Sequence, residues 1–336
     1  MLLCTTVAMA AAGAVQAAAP ALPPSDSGVG LYWDISTWKG EATMPEVLAD
    51  MKAHGCNTAC LFFRNAEELA AQLDAGVECG LWAPGVPVVL CSNCAGDNAN
   101  TAAELRRAPS VGQHTAQWPT LTLYVLNEVE EASPELEALI EEWKSYGVGA
   151  VGGCAYERAA WQLSDQVDVL QVFPVFYTQA LRERYAATGK ALWAYEGAGP
   201  VHVGRNPAAC RYLTGVWRWK FRPPVYLEWC YADAVGNPTM WEAWKQGCLD
   251  YWVLRNLDAQ LAAHPTATVA LDAARWQQEL LDRIAGNPGR DAVRRPPDYT
   301  DALAVHEVPP PVADFAMIRQ WAGYYAAALR GGENLW

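Results

Sequence analysis

Residues 120–154 read TLTLYVLNEVEEASPELEALIEEWKSYGVGAVGGC. An apolar, β-prone run from Thr120 to Leu126 leads into an acidic turn. A helix then opens at Pro134 and runs to Ser145. Ser133 is suited to cap its first turn, and Pro134 suits that turn because its missing N–H would go unbonded there anyway. A second short apolar run, Ala150 to Cys154, follows. Strand, amphipathic helix and strand in this order form a parallel β-α-β unit, in which the crossover helix covers one face of the sheet.

The same alternation recurs along the chain. Upstream, strands are expected at Gly30 to Ile35, Thr58 to Phe63 and Pro87 to Cys91. The helical segments after them are Thr43 to His54, Ala66 to Ala75 and Ala102 to Ala108. Downstream, strands are expected at Val169 to Val175, Ala191 to Tyr195 and Val225 to Trp229. Helices are expected at Glu157 to Leu163, Thr178 to Thr188, Pro207 to Trp219 and Met240 to Ala263. Eight such units predict an α/β fold, a closed (β/α)8 TIM-like barrel over residues 28–264. Two further helices, Val269 to Ile284 and Val312 to Leu329, are read as a C-terminal helical extension, residues 265–336, packed on the barrel. The alternative is a doubly wound open sheet. No GxGxxG or P-loop follows any strand, so a nucleotide-binding fold lacks its usual signature.

The composition is that of a folded globular chain: 18% charged, 52% hydrophobic, with a formal net charge of −13. That charge argues against nucleic acid and anionic membrane surfaces as partners, since both are bound through basic patches. Residues 1–19 are uncharged and rich in small apolar side chains, with Val15-Gln16-Ala17 resembling a cleavage site. They read as a secretory signal and place the protein outside the cytoplasm: secreted, periplasmic or on the cell surface. Nothing later is long and apolar enough to span a bilayer. Export permits disulfides among the ten cysteines, whose close pairs are Cys56/Cys60 and Cys91/Cys94. The five histidines are scattered without ligand spacing, so no metal and no other cofactor is expected.

Tryptophan is abundant, 16 beside 14 Tyr and 6 Phe. Such side chains offer broad apolar faces with a polar edge, the surface on which sugar rings stack. In barrels of this kind the chemistry lies at the C-terminal ends of the strands. Two glutamates stand there, Glu128 after Asn127 on the fourth strand and Glu196 on the seventh. Two carboxyl groups across a pocket are what glycosidic cleavage uses: a proton donor for the leaving oxygen, and a nucleophile or stabiliser for the oxocarbenium-like carbon. The other strand ends supply candidate carbohydrate-binding residues: Trp33, Asp34, Arg64, Tyr156, Tyr177, Trp193, Tyr195, Trp229 and Tyr231. Arg218, Lys220, Arg222 and Asp250 are read as structural.

The Asn-Glu pair on strand four with a Glu on strand seven resembles the large retaining clan of barrel glycosidases. More locally, Trp193-Ala194-Tyr195-Glu196-Gly197, Arg211, Gly215 to Trp219, Tyr226-Leu227-Glu228-Trp229, Asn237-Pro238, Trp241-Glu242-Ala243, Gly247 and Asp250-Tyr251 resemble the glycoside hydrolase family 123-like catalytic domains and their uncharacterised relatives. The likeness covers about residues 120–260. It implies Glu128 as general acid/base on a carbohydrate substrate, and in that family a substrate-assisted hexosaminidase mechanism. There an Asp precedes the acid; here it is Asn127, whose amide cannot supply the negative charge that steadies an oxazolinium-like intermediate. That departure motivates the alternative of a carbohydrate-binding barrel without catalysis.

Overall fold

The computed structural model describes residues 27–33, 42–92, 98–196, 207–284 and 314–331. Eight parallel strands close into a barrel in sequence order. They are β1 (Gly28–Trp33), β2 (Cys60–Phe63), β3 (Val88–Ser92), β4 (Leu121–Val129), β5 (Ala150–Ala155), β6 (Val169–Val172), β7 (Ala191–Glu196) and β8 (Val225–Glu228). Closure is made by β1 on β8, with Gly28 opposite Val225 and Leu31 opposite Glu228. The open-sheet alternative is thereby excluded. The secretory segment 1–19, Cys4, Cys94 and Asp34 lie outside the described residues.

The helices between strands are α1 (Met44–Ala53), α2 (Ala66–Glu78), α3 (Asn98–Val111), α4 (Pro134–Tyr146), α5 (Glu157–Gln162) and α6 (Gln179–Thr188). Their starts are set by local chemistry. The Asn65 side chain accepts from Glu68 N–H, Ser133 from Leu136 N–H, and Thr178 from Leu181 N–H. Helix α4 stops at Gly147, whose φ of 61° is the left-handed conformation glycine adopts without a Cβ clash.

Four expectations are corrected. Strand β6 ends at Val172, and Pro174–Phe176 form a 3-10 turn, because Pro174 has no N–H to extend a ladder. The helix expected over Pro207 to Trp219 is α7 (Pro207–Tyr212), a π turn (Leu213–Trp217) and α8 (Arg218–Phe221). Beyond β8 a short helix, α9 (Tyr231–Gly236), precedes the long α10 (Pro238–Ala263), so Tyr231 is helical and not a strand-end residue. All eight described cysteines are thiols, and the close pair is Cys60 with Cys91, Sγ to Sγ 3.4 Å across β2 and β3.

The two C-terminal helices, α11 (Ala270–Arg283) and α12 (Phe315–Leu329), are held to the barrel's helical layer by polar anchors. Lys220 Nζ donates to the Leu281 and Ile284 carbonyls at 2.8 and 2.5 Å, closing the end of α11. Asp250 in α10, wholly buried, accepts from Arg211 Nε at 2.5 Å and from Arg319 Nε of α12 at 2.7 Å. Arg211 also lies 4.7 Å from the Phe315 ring centre. Arg222 pairs with Asp258. Among the described residues, no helix is long and apolar enough to cross a membrane.

A buried carboxylate shared by two arginines is costly to break, since both cations are left uncompensated. Asp250→Asn is expected to lower unfolding stability by about 3 kcal/mol, the low end for a buried pair because both arginines keep some contact with water. Urea denaturation measures this, and hydrogen exchange should show α12 losing protection first.

Candidate active site

The inside of the barrel is set by strand parity, because successive side chains point to opposite faces. Tyr32 of β1 donates to Gln171 Oε1 of β6 at 3.0 Å, a bond that spans the barrel interior. Its ring lies 5.7 Å from Tyr124 of β4, 5.1 Å from Tyr195 of β7 and 5.5 Å from Trp229. Phe62 of β2 touches Tyr32 and Trp229, and Phe173 touches Tyr195 at 5.7 Å. These residues form an aromatic tier across the upper barrel. Three tyrosine hydroxyls in it each meet a polar side chain: Tyr32 on Gln171, Tyr124 on Asn127, and Tyr195 on Glu128.

Glu128 sits above this tier, half-buried, with φ at +47°. A left-handed backbone at a non-glycine residue costs about 1–2 kcal/mol. It persists here because β4 is irregular against β5, slipping register between Tyr124 and Leu126 and again between Leu126 and Val129. Such bulges re-aim the side chains that follow them. The sequence of β5 makes room for it: a methyl group on Gly153 would overlap the Leu126 carbonyl oxygen and Cβ, so only glycine fits beneath the bulge. Burial raises the Glu128 carboxyl above the usual glutamate range, while the Tyr195 hydroxyl pulls partly back by hydrogen-bonding the charged form. Asn127 is exposed, and its Oδ1 accepts from Tyr124 at 2.9 Å.

Glu196 does not join this group. Tyr195 faces inward, so the next residue lies on the outer, helix-facing side of β7. There Glu196 is in register with Glu228 of β8, and both are wholly buried. The same side holds Tyr226, which donates to Glu228 and packs against Trp217 and Trp244 of the helical layer. Burial, then the charges of Glu228 and Glu196, push the Tyr226 hydroxyl up. The field of Glu196 also reaches Tyr195 and Cys154, as does that of Glu128.

Of the binding residues expected from sequence, Tyr195, Trp229 and Tyr156 border the tier; Tyr156 lies 5.2 Å from Phe173. Trp193 shares the inward parity of Tyr195, is opposite Gln171 in register and is 3% exposed, so it fills the barrel and offers no open face. Trp33 has the opposite parity to Tyr32 and is buried. Tyr177 meets Trp217 edge-on and lies under the Arg182 guanidinium outside β7. Tyr231 donates to Asp50 of α1 at 2.9 Å. Arg64 is exposed and clamped by Glu68 within α2's first turn. Tyr32, Phe62, Tyr124, Gln171 and Phe173 were not among the expected site residues. The alternation within each strand is the signal that marks them, once one inward residue is known.

No known family's sequence pattern matches this chain, and no curated protein matches it. Among solved structures the fold is similar to a native Bacteroidetes-affiliated GH5 cellulase linked with a polysaccharide utilization locus. That likeness has a TM-score of 0.41 and 9% identity over 67% of this chain and 91% of that one. It is also similar to the exo-beta-1,4-mannosidase Op5Man5 from Opitutaceae bacterium strain TAV5, with a TM-score of 0.40 and 15% identity. This match covers 76% of the present chain, which spans 60% of the mannosidase. A third likeness is to PhdJ bound to substrate intermediate, with a TM-score of 0.35 and 12% identity over 90% and 96% of the two chains.

Two outcomes follow from the geometry. Gly153→Ala forces the bulge to move; it should cost about 1–3 kcal/mol of stability, read by thermal melting. It should also displace the Glu128 carboxyl from the inner tier, read as loss of its coupling to Tyr195. Tyr195→Phe removes a hydrogen bond that lowers the Glu128 carboxyl, so its titration should move to higher pH, followed by carboxyl carbon NMR.

Proposed function

We propose that this protein is a glycoside hydrolase in which Glu128 is the general acid/base. The observation that carries the reading is the state of that carboxyl. It is half-buried on a strained left-handed turn at the C-terminal end of the barrel, held above an aromatic tier, and raised by burial. A carboxyl whose protonated form is favoured by burial is suited to protonating a glycosidic oxygen. Trp229 and Tyr156, each half-buried beside the tier, supply faces for a sugar ring. The strand-four position of Glu128 agrees with the resemblance to family 123-like catalytic domains, and a carbohydrate substrate outside the cytoplasm is part of the proposal.

Glu196 is the candidate nucleophile or stabiliser of the two-carboxylate reading. Its outer-face position beside Glu228 favours a role in the electrostatic field around Tyr195 and Tyr226. The same observation favours one second reading, binding of carbohydrate without turnover, because the two glutamates paired by strand position do not face each other across the barrel.

A panel of aryl glycosides, with and without a 2-acetamido group, tests both. Glu128→Gln should reduce kcat/KM by about 10²–10⁴-fold, the contribution of a positioned general acid. The wild-type rate should fall as pH rises through the raised Glu128 value, since the acid form is then lost, and the variant should lack that limb. Full activity in Glu128→Gln would remove Glu128 from the mechanism. Glycan binding by calorimetry with no turnover of any substrate would establish the binding reading instead.

A further inference from the structure

We infer that Cys154 is a positioning residue for the acid: its thiol is the β5 wall on which the Glu128 turn rests, and it keeps a strong hydrogen-bond donor away from that flank of the carboxyl. This deepens the reading of Glu128 as general acid and rests on it. Leu126 pairs with Gly153 and Val129 with Ala155, so β4 sets two residues, Asn127 and Glu128, opposite the single residue Cys154. On its other side Cys154 is in register with Gln171 of β6, whose side chain takes the Tyr32 hydroxyl across the barrel interior. Residues in register on parallel strands share a face. The Cys154 side chain therefore points into the barrel, where it is wholly buried.

Among the described residues three thiols face inward by this parity: Cys60 in register with Tyr32, Cys91 with Phe62, and Cys154. Cys60 and Cys91 meet each other at 3.4 Å. Cys154 meets the acid instead. Burial, then the charges of Glu128 and Glu196, push its thiol up, so it is uncharged at physiological pH and inert as a nucleophile. It is also the titratable neighbour that acts most on Tyr124 and Tyr195. Tyr195 from β7 and Cys154 from β5 are the titratable groups coupled to the Glu128 carboxyl, and both stay neutral. A donor bonded to the charged form lowers a carboxyl. Tyr195 supplies one such bond. A hydroxyl at position 154 would offer a second, whereas a thiol is a weak donor. Sulfur there leaves the proton on the acid.

The test compares Cys154→Ser with Cys154→Ala. Both remove the sulfur, and only serine brings a hydroxyl. The Glu128 carboxyl is followed by carbon NMR titration, its signal assigned by its loss in Glu128→Gln, and by the pH profile of kcat/KM on aryl glycosides. Cys154→Ser should move the titration, and the falling limb of the profile, about half a pH unit or more to lower pH, because the charged form gains a bond. Above that limb this is about a threefold loss or more in kcat/KM. Cys154→Ala should keep the titration near that of wild type while lowering the melting temperature, since the missing sulfur leaves an apolar gap that stays dry. Should Cys154→Ser fail to fold by circular dichroism, Cys154→Thr carries the same hydroxyl in a shape suited to a strand. An unmoved titration in the hydroxyl variant, or an equal shift in serine and alanine, overturns this inference and leaves the acid to be judged by Glu128→Gln. The expected titration shift without turnover of any glycoside overturns the glycosidase reading alone.

Discussion

The site depends on the irregularity in β4. Two slips of register against β5 leave Glu128 with a left-handed backbone, and that turn is what lifts its carboxyl over the inner tier. Regular pairing through Val129 would place Asn127 and Glu128 on opposite faces by strand parity. With the bulge, Asn127 meets Tyr124 and Glu128 meets Tyr195, two residues of the same interior. Gly153 is the permissive element, since any side chain there would occupy the space of the displaced Leu126 backbone. The strain at Glu128 is small beside the packing that surrounds it, so the barrel can hold it.

The inner tier has a second consequence. A barrel of eight strands has an interior that side chains fill, and here much of the filling is aromatic with hydroxyl edges. Tyr32, Tyr124 and Tyr195 pack ring to ring while each directs its oxygen at a polar side chain. The same residues therefore stabilise the core and orient the groups above it. Burial lifts all three phenols well above their ordinary range, so they act as donors at any physiological pH.

Much of the architecture was legible in the chain. The β-α-β unit at residues 120–154, its serine cap, its Pro134 and the eightfold recurrence required only local chemistry and hydrophobic period. The structural reading of Lys220, Arg222 and Asp250 also stands in the polar anchors of the outer layer. At the site, a strand-end position alone does not place a side chain in the barrel, because parity decides its face. Trp33, Glu196 and Tyr177 are near strand ends but on the helix side, and Tyr231 begins a helix. Tyr32 and Tyr124, one residue before Trp33 and three before Asn127, are the inward ones.

Strand and helix periods and end signals are local properties, so the chain alone shows the fold class and the position of Asn127-Glu128 at the end of the fourth strand. Which side chains at those ends share a space is set by barrel closure. Parity becomes inward or outward only when the sheet closes, and the bulge that lets Asn127 share the side of Tyr124 and Glu128 lies where β4 packs on Gly153 of β5. The Asn127-Glu128 pair is thus a local signal whose chemistry is set by a neighbour 25 residues away in sequence, at Gly153.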